Sequence, residues 1–265
     1  MKMMNLVSGS SGNSTLVGTE NVTLLCDIGV SKRKIEECLN TADYTGRDID
    51  ALFITHEHID HIRGLGVFSR TFGIPIYATT GTIEAIKKYS SLGKIDISLF
   101  HPIHPGKEIR LKDLTIKCHK VSHDAAEPVC YSFVSGEKKC CIATDLGYFT
   151  EELVWGLSEC DVMLVEANHD IHMLEVGPYP YPLKQRILSD KGHLSNEAGG
   201  TFIRQLMNDH VKEIRLGHLS KDNNFPELAL ATVRHELLGN MYVPDSSEIN
   251  IKVAARDEAD PMLEF

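Results

Sequence analysis

Ala51-Leu52-Phe53-Ile54-Thr55-His56-Glu57-His58-Ile59-Asp60-His61 is the stretch on which the reading of this chain turns. Its first part is an apolar run of strand length. Its second part sets three imidazoles and two carboxylates within six residues. Polar groups crowded at the end of a buried strand are costly unless something binds them. A divalent cation binds them well. Imidazole suits zinc, and carboxylate widens the choice to manganese or iron.

Working outward, the same arrangement recurs. An apolar strand ends and a metal-capable residue follows at once. Leu24-Leu25-Cys26 leads into Asp27, Lys120-Val121-Ser122 into His123, Ile142-Ala143-Thr144 into Asp145, and Arg215-Leu216-Gly217 into His218. Strand ends along one edge converge in space, which is how layered α/β folds assemble sites. Any one of these residues alone reads as a solvated loop group. Five in one context, with His56-x-His58-x-Asp60-His61 among them, read as a metal centre.

The chain of 265 residues is long enough to bury a substantial core, and a single domain spanning 1–265 is expected. Its 42% apolar and 24% charged content is that of a soluble protein. No apolar run approaches the roughly 18 residues of a membrane span. The opening apolar stretch is too short for a signal peptide. A cytoplasmic protein with no membrane partner is therefore expected. The seven cysteines are odd in number and form no Cys-x-x-Cys, so they read as small strand hydrophobes. A net charge of −10 argues against a broad nucleic-acid-binding face. It leaves room for a local one around Lys184, Arg186 and Lys191. The acidic stretch 255–265 is expected to be a loose tail.

Pattern and turn residues predict strands at Met3–Val7, Ser14–Val17, Val22–Cys26, Pro75–Ala78, Leu114–Val121, Val129–Val134, Lys139–Ala143, Val162–Val165 and Glu213–Leu216. A helix is expected from Ser31, a second through Leu65 and Phe68, and two more over Asn196–Met207 and Pro226–Leu238.

This ordered set, from Asp27 to His218, resembles the metallo-β-lactamase superfamily. The resemblance implies an α/β fold, a four-layer αββα sandwich with two divalent metal ions at the open end of its sheets. It implies that His56, His58 and His123 hold one ion. Asp60, His61 and His218 would hold the other, with Asp145 bridging both. Asp27 would stand behind the histidine motif and orient its ligands. His58 occupies the place where oxygen-reducing diiron members carry Glu, which speaks against redox chemistry. Asp145 stands where many antibiotic-hydrolysing members have Cys. Thioesterase and lactonase members share the whole ligand set.

Other segments narrow the choice. Ser8-Gly9-Ser10-Ser11-Gly12-Asn13-Ser14 is either a hairpin turn or a phosphate-facing nest offered by Ser10, Ser11 and Asn13. Gly192-His193-Leu194-Ser195-Asn196 and Gly217-His218-Leu219-Ser220-Lys221-Asp222-Asn223-Asn224 are similar to the two late histidine motifs of phosphodiesterase members, such as the tRNA 3′-processing nucleases. That similarity implies His193 as the general acid and His218 as the ligand, although the two can be exchanged on sequence alone. Glu166-Ala167-Asn168-His169-Asp170 and the run Tyr179–Arg186 look like the YycJ/WalJ branch of the superfamily. That branch implies a cytosolic DNA exonuclease, 5′ to 3′, with DNA as partner. His169 would touch substrate or cap a loop. Lys184 and Arg186 would contact the nucleic-acid backbone without reading sequence. The implied reaction is attack on phosphorus by a hydroxide shared between the metals, with Asp60 and His193 as catalytic residues. An ester, thioester or lactone hydrolase on the same centre, and a metal-stabilised regulatory binding module, remain the alternatives.

Overall fold

Short apolar runs broken by Gly, Ser and Asn turns open the chain as a meander of β1 (Lys2–Val7), β2 (Ser14–Gly18) and β3 (Thr23–Cys26). The computed structural model describes residues 1–238 and 249–265. Three parallel strands extend the meander: β4 (Ala51–Phe53), β5 (Ile76–Thr79) and β6 (Phe100–Ile103). Parallel neighbours require crossovers. Helices α1 (Lys32–Asn40), α2 (Ile59–Ile62), α3 (Leu65–Phe72) and α4 (Thr80–Ile86) lie in them. Ser31 caps α1 as its sequence predicts, accepting a bond from the Lys34 amide.

A second sheet repeats this plan. Strands β7 (Glu108–Leu111), β8 (Leu114–Lys120), β9 (Val129–Ser135) and β10 (Lys138–Ala143) run antiparallel. Strands β11 (Val162–Glu166), β12 (Glu213–Gly217) and β13 (Ile251–Val253) follow in parallel. Its helices are α5 (Glu151–Leu157), α6 (Ile171–Val176), α7 (Tyr181–Ile187), α8 (Asn196–Leu206) and α9 (Pro226–Leu238). A final short strand, β14 (Leu263–Glu264), returns to pair with β1.

Alternation along the strands makes the layers, because successive side chains point to opposite faces. Leu24, Cys26 and Phe53 pack against Tyr131, Ile142 and Leu164 of the other sheet. Leu25 and Leu52 face the opposite way, onto Ile35, Leu39 and Phe68 of α1 and α3. Met163, Val165, Ile214 and Leu216 meet Leu157 of α5, Phe202 and Ile203 of α8, and Val233 of α9. The order is helices, sheet, sheet, helices, as the αββα expectation required.

Two differences from the sequence reading stand out. Strand β6 contains His101 and Pro102 and lacks alternation, so nothing local marks it; it forms because β5 offers it a parallel edge. The acidic stretch 255–265 is not a loose tail. Asp260 N donates to Asn5 O, Arg215 donates to Pro261 O, and β14 pairs with β1. Composition counted its charges without the buried Arg215 that Asp260 faces.

Candidate metal centre

The five strand ends singled out in the sequence converge on one rim. Asp27, Asp145 and His218 each turn there with a positive φ, of 62°, 63° and 54°. Non-glycine residues seldom occupy this left-handed region, at a cost on the order of 1 kcal/mol or more. Three such turns at strand ends bring three metal-capable side chains onto the same rim. His56 and His58 follow β4, and α2 carries Asp60 and His61.

Four sets of donor atoms on this rim lie within 4.8 Å of one another: His56, His58 and His123; Asp60, His61 and His218; His56, His61 and Asp145; and Asp145, Glu166, His193 and His218. Hydrogen bonds on the far side of the rings decide which nitrogens face inward. His123 Nδ1 lies 3.0 Å from Gly192 O, an acceptor only, so it carries the proton and Nε2 keeps its lone pair. Thr55 Oγ1 donates to Asp27 Oδ2 and so accepts from His56 Nδ1 at 3.0 Å. His61 Nδ1 donates to Asp27 Oδ2 at 2.8 Å, and His218 Nδ1 to Glu166 Oε1 at 3.1 Å. All four Nε2 atoms therefore face the cluster, and three of them meet carboxylates. His61 Nε2 is 3.2 Å from Asp145 Oδ2, His218 Nε2 is 3.3 Å from Asp60 Oδ2, and His123 Nε2 is 3.7 Å from Asp145 Oδ1. His56 Nε2 is buried without any hydrogen-bond partner. Lone pairs aimed at carboxylates and an orphaned buried nitrogen are the donor set a divalent cation satisfies, so the residues fit one.

The electrostatics agree. Burial alone would strip the proton from His218, but Asp145, Asp60 and Glu166 outweigh it and push its pKa up to about 10. Burial likewise disfavours charge on His61, yet Asp145, Asp27 and Asp60 raise it well above the usual histidine range. The same carboxylates that favour a proton on these two nitrogens would favour a cation there. His56 and His123 are pushed down chiefly by burial; neighbouring imidazoles push the same way and Asp145 opposes them. Burial would raise the Asp145 carboxyl, but His218 and His61 hold it far below the ordinary carboxylate value.

Residues 24–211 match the family described as a beta-lactamase superfamily domain. The chain is 43% identical over 232 residues to the exodeoxyribonuclease WalJ of Streptococcus pneumoniae, covering 88% of this chain and 86% of that protein. It is 38% identical to the exodeoxyribonuclease YycJ of Bacillus anthracis, covering 88% and 87%. The chain belongs to the metallo-β-lactamase superfamily. Human tRNase Z, short form, shares the fold at a TM-score of 0.67 and 17% identity, over 98% of this chain and 99% of that one. Membership together with relatives named exodeoxyribonucleases makes the chain a hydrolase, and the superfamily fold implies divalent metal ions.

Within this metallo-β-lactamase site, sequence reasoning passed over Glu166. Its buried carboxylate accepts from His193 Nδ1 at 2.8 Å and His218 Nδ1 at 3.1 Å through Oε1. Its Oε2 accepts from the amides of Leu146 and Leu194. Four donors fill its acceptor capacity, so Glu166 holds rings and leaves metal binding to others. Burial would raise its pKa, but His193 and the hydrogen bonds hold it at about 2. A charged residue ending the apolar run Val162–Val165 was the available signal. Ser8 was missed too, and its Oγ accepts from the His218 amide.

The remaining expected residues spread out. Asn13 is inside, 3.1 Å from His61 Nε2 and bonded twice to Gly9, while Ser10 and Ser11 sit exposed in the turn. His169 is 1% exposed, with its Nδ1 3.3 Å from Asn168 Oδ1, and the Asn168 amide binds His218 O. Lys184 donates to Glu175 O, away from the ligand groups. Arg186 forks onto Asp124 beside His58 and His123.

Proposed function

We propose that this chain is a dinuclear-metal-dependent phosphodiesterase that degrades DNA from an end, 5′ to 3′. One observation carries the reading. His193 is held by a fully engaged buried carboxylate, with its Nδ1 3.6 Å from Asp145, and Asp145 in turn lies 3.2 Å from His61 of one donor group and 3.7 Å from His123 of another. Relatives that are named exodeoxyribonucleases, with 38–43% identity, support DNA as the substrate. His56, His58 and His123 would hold one ion, Asp60, His61 and His218 the other, with Asp145 shared. Zinc, manganese and iron all suit such donors. Bound cations supply Lewis-acid charge at the phosphate and an acidified water at neutral pH.

The chain's own residues do the rest. Glu166 fixes the His193 ring through Nδ1. Nε2 is then the nitrogen from which His193 gives a proton to the departing oxygen, worth on the order of 10²–10⁴ in rate. Glu166 orients His218 with the same oxygen, so proton donor and ligand share one anchor. All seven cysteines are free and buried, which suits a reducing compartment, and we place the protein in the cytoplasm.

The test uses metal-replete protein on bis-p-nitrophenyl phosphate, an acyl thioester and 5′-labelled duplex DNA. Phosphodiester cleavage with early release of the 5′ label, and an intact thioester, is the expected result. Thioester turnover with intact DNA would overturn the reading. The His193→Ala variant is expected to keep its metals and lose about 10²–10⁴ of the rate. Metal loss in that variant would exchange the roles of His193 and His218.

A further inference from the structure

Four of the five imidazoles assigned above as metal ligands have their outward nitrogen tied down. His56 is tied by Thr55, His61 by Asp27, His123 by Gly192 O and His218 by Glu166, at 3.0, 2.8, 3.0 and 3.1 Å. His58 is the exception. Its Nδ1 faces inward, 3.2 Å from His123 Nε2. Its outward Nε2 approaches Asp124 Oδ1 at 3.8 Å, too far for a hydrogen bond. Asp124 is engaged elsewhere, because both of its oxygens accept from the Arg186 guanidinium. The Asp124 backbone is fixed by its amide's bond to Lys191 O, so only its side chain is free to choose. Arg186 is 45% exposed at the mouth of the site and feels the charges of Asp60 and Asp145.

We propose that Arg186, Asp124 and His58 form a relay that makes metal binding and nucleic-acid binding cooperative. The inference rests on the phosphodiesterase reading above. A backbone phosphate offers Arg186 the same two-pronged acceptor that Asp124 offers, with bulk substrate behind it. When Arg186 swings to the phosphate, Asp124 loses its donors. The His58 Nε2–H is the donor within a rotamer's reach, and Asp124 closes on it. A carboxylate on the outer nitrogen fixes a ligating imidazole and raises its basicity, an effect typically of 10–100-fold in metal affinity. Linkage then requires the converse: a cation at His56, His58 and His123 tightens nucleic acid by the same factor. Asp124 is thus a positioning residue acting through His58.

The experiment measures manganese affinity by chelator competition, with and without a phosphorothioate oligonucleotide that resists cleavage. It compares the wild type with Asp124→Asn, Arg186→Ala and the double variant. DNA touching the metals directly raises affinity in every variant alike, so the difference between variants reads the relay. The DNA-induced gain is expected to fall about fivefold in each single variant and no further in the double. Arg186→Lys, which keeps charge without the fork, is expected to fall between wild type and Arg186→Ala. Weaker manganese binding with an undiminished DNA-induced gain would make Asp124 merely structural and overturn the relay. Equal gains in all variants would overturn it too. A wild type that cuts phosphodiesters yet gives either of those results loses the relay alone. A wild type that neither binds the oligonucleotide nor cuts phosphodiesters defeats the parent reading and the relay with it.

Discussion

At His218, as a proposed ligand, a proton and a metal ion would compete for one nitrogen. The carboxylates of Asp145, Asp60 and Glu166 overcome burial and raise its pKa to about 10, and His61 is raised for the same reason. Both rings therefore carry an extra proton in the metal-free protein at neutral pH. A cation has to displace them. Zinc loading is expected to release about two protons per chain near pH 7. Affinity should climb with pH and level off as pH passes about 10. For the metal-free fold the sign is the reverse: raised histidines stabilise fully below about pH 6.5 and lose that contribution as pH climbs through the folded value. Titration calorimetry in buffers of different ionisation enthalpy counts the protons. Affinity that stays flat between about pH 6.5 and 9 would refute the competition. The residues proposed as ligands were legible in the sequence, because they either end an apolar strand run or crowd into His56–His61 directly after one. Glu166 also breaks an apolar run, but its role was hidden because its partners lie 27 and 52 residues away.

The helix that delivers Asp60 and His61 has only four residues, too few to be stable alone. Its backbone is held from outside. Asn13 N donates to Asp60 O and Ile28 N to His61 O, both at 2.8 Å, and Gly64 N donates to Ile28 O at 2.9 Å. Gly29 lies in the middle of this lacing. A Cβ there would stand 1.6 Å from Asp60 O and 2.4 Å from Asn13 N, both backbone atoms that cannot step aside. Gly29→Ala is expected to cost roughly 2–4 kcal/mol and to lower metal content, by pushing α2 off the rim. Urea denaturation and elemental analysis check both effects. Unchanged stability with full metal content would show that α2 is anchored by its ligands instead. Alternation and turn residues were enough to place β1, β2, β3 and β8 to β12 within a residue or two. They were not enough for α4 to α7, whose six or seven residues give too short a window for a helical period to emerge.

Across the whole molecule, the last fifteen residues join the two sheets. Strand β13 closes the edge at β12, and β14 closes the edge at β1. Between them the chain crosses the seam, with Ala254 N bonded to Leu216 O, Ser8 N to Ala255 O, and Arg256 to Leu219 O. These bonds flank His218, whose amide already donates to Ser8 Oγ. Charge composition hid this role, since Asp257 and Glu258 are exposed while Asp260 lies 3.8 Å from the buried guanidinium of Arg215. Deleting 257–265 removes that carboxylate and the Pro261 carbonyl from Arg215 and leaves Glu213 as its ion-pair partner. It also bares β1 as an open edge. Leaving a buried charge short of partners costs on the order of 2–4 kcal/mol here, less than full unpairing. For a chain of this size that is a fall in melting temperature of roughly 5–15 °C. Self-association through the bared edge should accompany it. Thermal melting and size-exclusion chromatography of metal-loaded protein test the pair of effects together. A truncated protein that melts with the full-length chain and elutes as the same species would mean the sheets hold their shared rim without this crossing.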